Sequence, residues 1–327
     1  MIRRKVLPVI LVVVMAMTAL LLTGCNETTL GTSNWTTNGG DPSLTKQEEV
    51  ADDKLVEFGM YPQTKAAADV QSTIKSNVKI DPETGLWTEF NDEKASARYD
   101  LETGYFVYQA KVEGEAQAEQ YYMMCGENLY LVEPIKWIVL ETSGSESLLI
   151  SSKILDGGRK YNNLYGECTW AESSMRDWLN GTDDYDINNG ANYKEELNFL
   201  NRAFNETEIA ALKKVSLSCK DNDTYKTDGG EDTQDLVYLP SADEFNKYFT
   251  KESGLNSMAY GTNYAEGRGL ATDKNKAGIW WLRETGAKTF MLAVDRSGNI
   301  TEGGYAVSDV SAGVRPIISV STSALKK

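Results

Sequence analysis

The chain has 327 residues, 41% of them hydrophobic, and a formal net charge of −15. The apolar fraction supports a sizeable core, while the acidic balance argues against a nucleic-acid partner, whose phosphates call for Lys and Arg patches. Histidine is absent, which removes Ser-His-Asp and Cys-His catalysis and histidine-ligated zinc together; no catalytic residue is assigned.

Arg3, Arg4 and Lys5 precede an apolar run over residues 6–22, and the run closes on Leu22-Thr23-Gly24-Cys25. This is the layout of a secretory signal, but a small residue directly before a cysteine resembles a bacterial lipobox. The expectation is a lipoprotein signal peptide over residues 1–24 and a lipid on Cys25. That lipid is the membrane partner, and it holds an extracellular domain at the outer face of the cytoplasmic membrane. An uncleaved transmembrane anchor is the alternative. Cleavage leaves Cys125, Cys168 and Cys219, an odd number with no metal-binding spacing; one disulfide or three buried thiols both fit. Residues 25–54, rich in Thr, Asn, Gly, Asp and Glu, read as the lipidated cysteine and a flexible tether. A single α+β domain is expected over residues 55–327.

Residues 55–63 alternate apolar and polar side chains and read as a strand stopped by Pro62. A short helix is expected within 64–78, with Val70 and Ile74 on one face. Short β-branched or aromatic runs at 105–111, 121–124, 129–132, 135–141 and 147–152 read as an antiparallel meander. Thr169-Trp170-Ala171-Glu172 has capping-box spacing for a helix carrying Met175, Trp178 and Leu179 and ending at Asn180-Gly181. Asn205 and Ser241, each followed by Glu three residues later, open two more helices. Strands return at 278–283, 290–294, 305–307 and 314–320.

Several motifs occur in order: Phe58-Gly59-Met60-Tyr61-Pro62-Gln63, Ile135-Lys136-Trp137-Ile138, Lys153-Ile154-Leu155-Asp156 with Tyr161-Asn162, Arg176-Asp177-Trp178-Leu179-Asn180, Trp280-Trp281-Leu282-Arg283 and Gly313-Val314-Arg315-Pro316. Over residues 55–320 the chain resembles an extracellular domain family of unknown function, found on surface lipoproteins and secreted proteins of Gram-positive bacteria. The C-terminal pattern is also distantly similar to the formylglycine-generating-enzyme and C-type-lectin-like superfamily. That similarity implies a mainly antiparallel, C-type-lectin-like α+β fold with a few short helices. It implies neither oxidase chemistry nor a calcium-dependent sugar site. Val314 stands where an aromatic is usual, the catalytic cysteine pair is missing, and so are the lectin calcium tripeptides.

Trp280, Trp281, Arg283 and Arg315 are the candidate ligand-binding residues. Strand neighbours point to opposite faces, so one tryptophan is expected in the core and the other outward beside an arginine, able to stack on a sugar or hold an anion. Buried, carboxylate-paired arginine struts are the alternative. Asp184, Asp186, Asn188 and Glu195 fall at positions 1, 3, 5 and 12 of a calcium-type loop, although a solvated acidic loop is the leading reading of this stretch. Apart from that calcium, no cofactor is called for. The functional reading is a non-catalytic module for an extracellular glycan or protein. A glycan hydrolase using two carboxylates and an assembly subunit of a surface complex are the alternatives.

Overall fold

The computed structural model describes residues 55–79, 90–91, 95–99, 105–110, 119–182, 198–251 and 253–326. The stretches expected to be a signal peptide and tether, with Cys25, and the calcium-type residues Asp184, Asp186, Asn188 and Glu195 lie outside the described residues. Among the described residues no helix is long and apolar enough to cross a membrane. The architecture is α+β, mainly antiparallel sheet with a few short helices. The described chain falls into two compact units, residues 62–132 in one and 55–61 with 133–326 in the other.

Strand β1 (Leu55–Lys65) runs through Pro62 instead of stopping there. Proline removes one backbone donor without forbidding an extended chain. In the first unit, helix α1 (Ala68–Asn77) follows. Strands β2 (Phe90–Asn91), β3 (Ala95–Tyr99), β4 (Phe106–Ala110), β5 (Gln120–Cys125) and the start of β6 (Asn128–Ser143) pair in sequence order, all antiparallel. Ile74 is buried against Phe106, Tyr122 and Leu129, with Val70 partly buried beside it, as their four-residue spacing requires. Gln71 fixes the helix to the sheet. Its amide donates to the Ala66 carbonyl at 2.8 Å and its oxygen accepts from Leu129 N at 3.3 Å.

In the second unit, β7 (Glu146–Ser151) pairs with the later part of β6 and with β17 (Ile317–Ser321). Residues 129–132 and 135–141, read as two strands, belong to the single 16-residue β6, because Pro134 does not break the extended backbone. Along its other edge β17 pairs first with β11 (Val237–Tyr238) and then with β8 (Leu212–Lys213). Strands β9 (Val215–Leu217) and β10 (Thr233–Asp235) form a small ribbon, as do β12 (Ala259–Tyr260) and β13 (Ala277–Gly278). Strands β14 (Trp280–Thr285), β15 (Phe290–Val294) and β16 (Tyr305–Ala306) form a third sheet.

Helix α2 (Ser174–Asn180) starts one turn later than the sequence suggests. Ser173, in extended conformation, accepts from Arg176 N at 3.1 Å and so takes the capping role expected of Thr169. The expected stop is present: Gly181 adopts φ 67° and its N–H caps the Asp177 carbonyl. Helix α3 (Phe199–Ala203) has no counterpart in the sequence reading. Helices α4 (Glu206–Ala211) and α5 (Ala242–Tyr248) carry the two expected capping boxes, at Asn205 with Glu208 and at Ser241 with Glu244. Helix α6 (Asn263–Arg268), capped by Thr262, was also not expected. An aromatic shell of Phe58, Trp137, Phe199 and Phe204 forms one part of the core, with ring centroids 5.3–6.4 Å apart. A second cluster gathers Ile154, Phe245, Leu270, Trp280, Leu282 and Val294.

Candidate functional site

The two signature stretches pair with each other. Gly313 accepts from Trp281 N at 3.1 Å and donates to the Ile279 carbonyl at 2.8 Å. Both tryptophans are fully buried, which corrects the expected inward–outward alternation. Their side chains do diverge, but both faces of β14 are covered. Trp280 packs on Phe245 and Phe249 with centroids 6.0 and 5.9 Å away, and Trp281 on Tyr161 and Tyr305 at 5.4 and 6.4 Å.

The arginines divide between two roles. Arg283 is a carboxylate-paired strut, bonded through Nη1 to Glu244 and, at 3.2 Å, to the Leu239 carbonyl. Arg315 is fully buried, and no carboxylate pairs with it among the described residues. Its Nε donates to the Ser151 carbonyl at 3.0 Å, its Nη1 has no acceptor, and its guanidinium carbon lies 5.1 Å from the Phe249 and Trp280 ring centroids. Burial pushes its pKa down to about 9. These four residues share one interior region, and none presents its side chain to solvent.

The backbone hydrogen bonds of the second signature stretch lead to a different place. Val314 N donates to the Asp156 carbonyl and Leu155 N to the Val314 carbonyl, both at 2.9 Å. This pins a fully buried carboxylate. Asp156 Oδ2 accepts from the Tyr61 hydroxyl at 2.6 Å and Oδ1 from Gly157 N at 2.8 Å. Arg159 Nε lies 3.5 Å from Oδ2 and Arg268 Nε 3.4 Å from Oδ1. Burial works against the charge on Asp156, but the two guanidiniums, the Tyr61 hydroxyl and the Gly157 amide outweigh it and lower its pKa. Burial and the neighbouring carboxylate raise the Tyr61 pKa well above the usual range, keeping its proton as the donor.

Two adjacent glycines let the arginines converge. A Cβ on Gly157 would lie 2.5 Å from the Ala265 carbonyl oxygen, and one on Gly158 (φ 65°) only 1.8 Å from the Arg268 carbonyl oxygen. The end of α6 can therefore press against this turn and place Arg268 beside Arg159. Gly158→Ala is expected to cost more than about 1 kcal/mol, lowering Tm by at least about 2–4 °C. Gly144→Ala is the control for backbone strain alone, since Gly144 has φ 60° but nothing within 4 Å of its Cβ position. Equal losses in the two variants, measured by thermal unfolding, would mean that the close approach is unimportant.

The result is an open cleft of about 170 Å³ lined by the 158–160 turn, Asn163, Ser174, Met175, Trp178, Arg268 and Val310. The Arg159 guanidinium carbon stacks 3.8 Å from the Trp178 ring centroid. The indole N–H of Trp178 has no acceptor, although the residue is only 3% exposed. Arg159, Arg268 and exposed Lys160 thus come together at one cleft, with Asp156 as the buried carboxylate that both arginines share, in a strongly acidic chain. The sequence did carry a signal for this: paired glycines and then paired cations directly after Asp156. Arg268, more than 100 residues later, has no local signal.

Three other features complete the inventory. In the acidic run over 221–232, three carboxylates accept from nearby backbone amides. Asp221 accepts from Gly229 N at 3.0 Å, Asp228 from Gly230 N at 2.8 Å and Asp232 from Cys219 N at 2.9 Å. Among the described residues no group of three or more acidic or cysteine side chains is placed to hold a metal. Cys168 and Cys219 are free thiols; burial pushes the first up to about 12 and raises the second, so both are weak nucleophiles. Tyr122, Tyr260 and Tyr264 are buried core residues.

Among curated proteins nothing matches the chain, and among solved structures nothing matches either. Residues 145–322, all within the second unit and including every lining residue of the cleft, match the family described as "Domain of unknown function (DUF6273)", and because the match spans more than half of the chain, the chain belongs to that family.

Proposed function

We propose that this protein is a lipid-anchored, extracellular, non-catalytic binding module whose cleft takes an anionic group of a glycan or protein. One observation carries the reading: Arg159, Lys160 and Arg268 converge on one cleft whose described lining holds no carboxylate, Asp156, which pairs with both arginines, being fully buried. Guanidinium groups suit carboxylate, sulfate and phosphate because their donors match paired oxygens. The described lining residues include no carboxylate, whereas glycoside hydrolysis uses two opposed acids; this favours binding over the hydrolase alternative. A lipid on Cys25 would keep the module at the membrane surface, and a C-type-lectin-like arrangement belongs to the same reading.

The test is an array of acidic and neutral glycans and proteins probed with the full-length chain in neutral detergent. Acidic members are expected to bind, and more weakly as salt rises. Lys160→Glu, at an exposed position, is expected to weaken that binding about three- to tenfold, ~1 kcal/mol. Binding that ignores both salt and Lys160→Glu would sink the anion reading. Mass spectrometry of the cell-derived protein checks the anchor separately, the expected N-terminal residue being a diacylglycerated Cys25.

A further inference from the structure

We infer that the cleft and the exposed aromatic edge beside it form one composite site for an acidic saccharide: a sugar ring that lies on Tyr165 and directs its carboxylate or sulfate to Arg159, Lys160 and Arg268. This rests on the anion-binding reading above and adds the class of ligand.

The edge is made of unusual surface. Leu164 is 55% exposed, Tyr165 74% and Val310 39%. Val310 lines the cleft, and Tyr165 follows the lining residue Asn163 by two positions, about 7 Å along the backbone. Neighbouring bonds hold this edge in place. Asn162 N donates to the Val307 carbonyl at 3.0 Å, and its side-chain oxygen accepts from Ser174 N at 3.2 Å and Ser174 Oγ at 2.8 Å. Asn163 N donates to Ser174 Oγ at 3.1 Å, and Asn162 Nδ2 to the Leu164 carbonyl at 3.2 Å. A turn fixed before binding, from which Tyr165 follows, loses little freedom when a ligand arrives.

A saccharide fits this surface better than an acidic peptide does. Peptides are usually read on a free strand edge or along an apolar groove, but this cleft is lined by turns and helix residues and has room for about one charged group. An exposed tyrosine ring suits the flat apolar face of a pyranose. The acceptorless indole N–H of Trp178 and the ammonium of Lys160 offer donors to ring substituents.

The experiment is calorimetry on the full-length protein in neutral detergent. The ligands are a galacturonate tetramer, a chondroitin sulfate tetrasaccharide, a neutral galactose tetramer, tetraglutamate and sodium sulfate. At least one acidic oligosaccharide is expected to bind, with the neutral tetramer and tetraglutamate at least about tenfold weaker. Tyr165→Ala is expected to weaken the oligosaccharide about tenfold and to leave sulfate unchanged, whereas Lys160→Glu weakens both. Tyr165 is exposed, so its loss should not disturb folding, and an unchanged melting curve checks this. If Tyr165→Ala binds the oligosaccharide like wild type while Lys160→Glu weakens it, the composite site is wrong and the anion reading survives. Equal or tighter binding of tetraglutamate would overturn the saccharide assignment in favour of a protein ligand. If no anion binds, sulfate included, both readings fall.

Discussion

Asp156→Asn is expected to lower stability at neutral pH by about 3–5 kcal/mol, the loss seen when one partner of a buried ionic network is removed. The carboxylate is the shared counter-charge of Arg159 and Arg268, whose side chains are only 12% and 14% exposed. Asparagine keeps the shape but removes the charge that the two guanidiniums share, and it places an amide donor near the Tyr61 hydroxyl or an arginine. The effect has a pH signature. The folded-state pKa of Asp156 lies below its ordinary value of 3.8. Its contribution is therefore fully present above that value and is lost as the pH falls through the lower folded value. The gap between wild type and Asp156→Asn should be widest near pH 7, begin to narrow below about pH 4 and close only below the lower folded value. Urea unfolding followed by tryptophan fluorescence at pH 7 and at about pH 2 measures this; a gap that is equal at both would show that Asp156 acts through shape rather than charge.

Trp280→Ala should be comparably damaging, at about 3–5 kcal/mol. Part of the loss is the cavity left among Phe245, Phe249 and Leu282. The rest concerns Arg315, a desolvated cation that would lose one of the two rings flanking it; such a contact is worth roughly 2 kcal/mol when buried. A double-mutant cycle with Arg315→Met separates the two terms. The expectation is a coupling of about 0.5–3 kcal/mol, because once the charge is gone the missing ring matters less. Additivity within about 0.5 kcal/mol would mean that the ring serves only as filling.

The fold was legible where local chemistry decides. The Asn205 and Ser241 capping boxes, the Gly181 stop and the spacing of Val70 and Ile74 all act within one or two turns, and each appears where its residues place it. Errors arose where distant segments decide. Trp280 and Trp281 alternate as strand neighbours should, yet Tyr161 and Phe245, remote in sequence, cover both faces. The cleft was hidden for the same reason. Its two guanidiniums come from positions 159 and 268, and the turn that joins them reads in the sequence only as glycine punctuation. The signature stretches nonetheless lead to the cleft, because Gly313 and Val314 link β14 to the turn that carries Asp156.

The position of β17 also governs the order of assembly. This late strand has β7 on one side and β11 and β8 on the other, and near it Lys326 exchanges backbone bonds with Glu57. A chain emerging from its N-terminus can form the 62–132 sheet early, from near neighbours. The second unit must wait, its central strand missing, until residues beyond 317 are free. Pairing across such long sequence distances is slow, so a stalled or truncated chain would expose β7 and β11 as unpartnered edges. Emergence of β17, residues 317–321, is then the step that commits the cleft-bearing unit to fold.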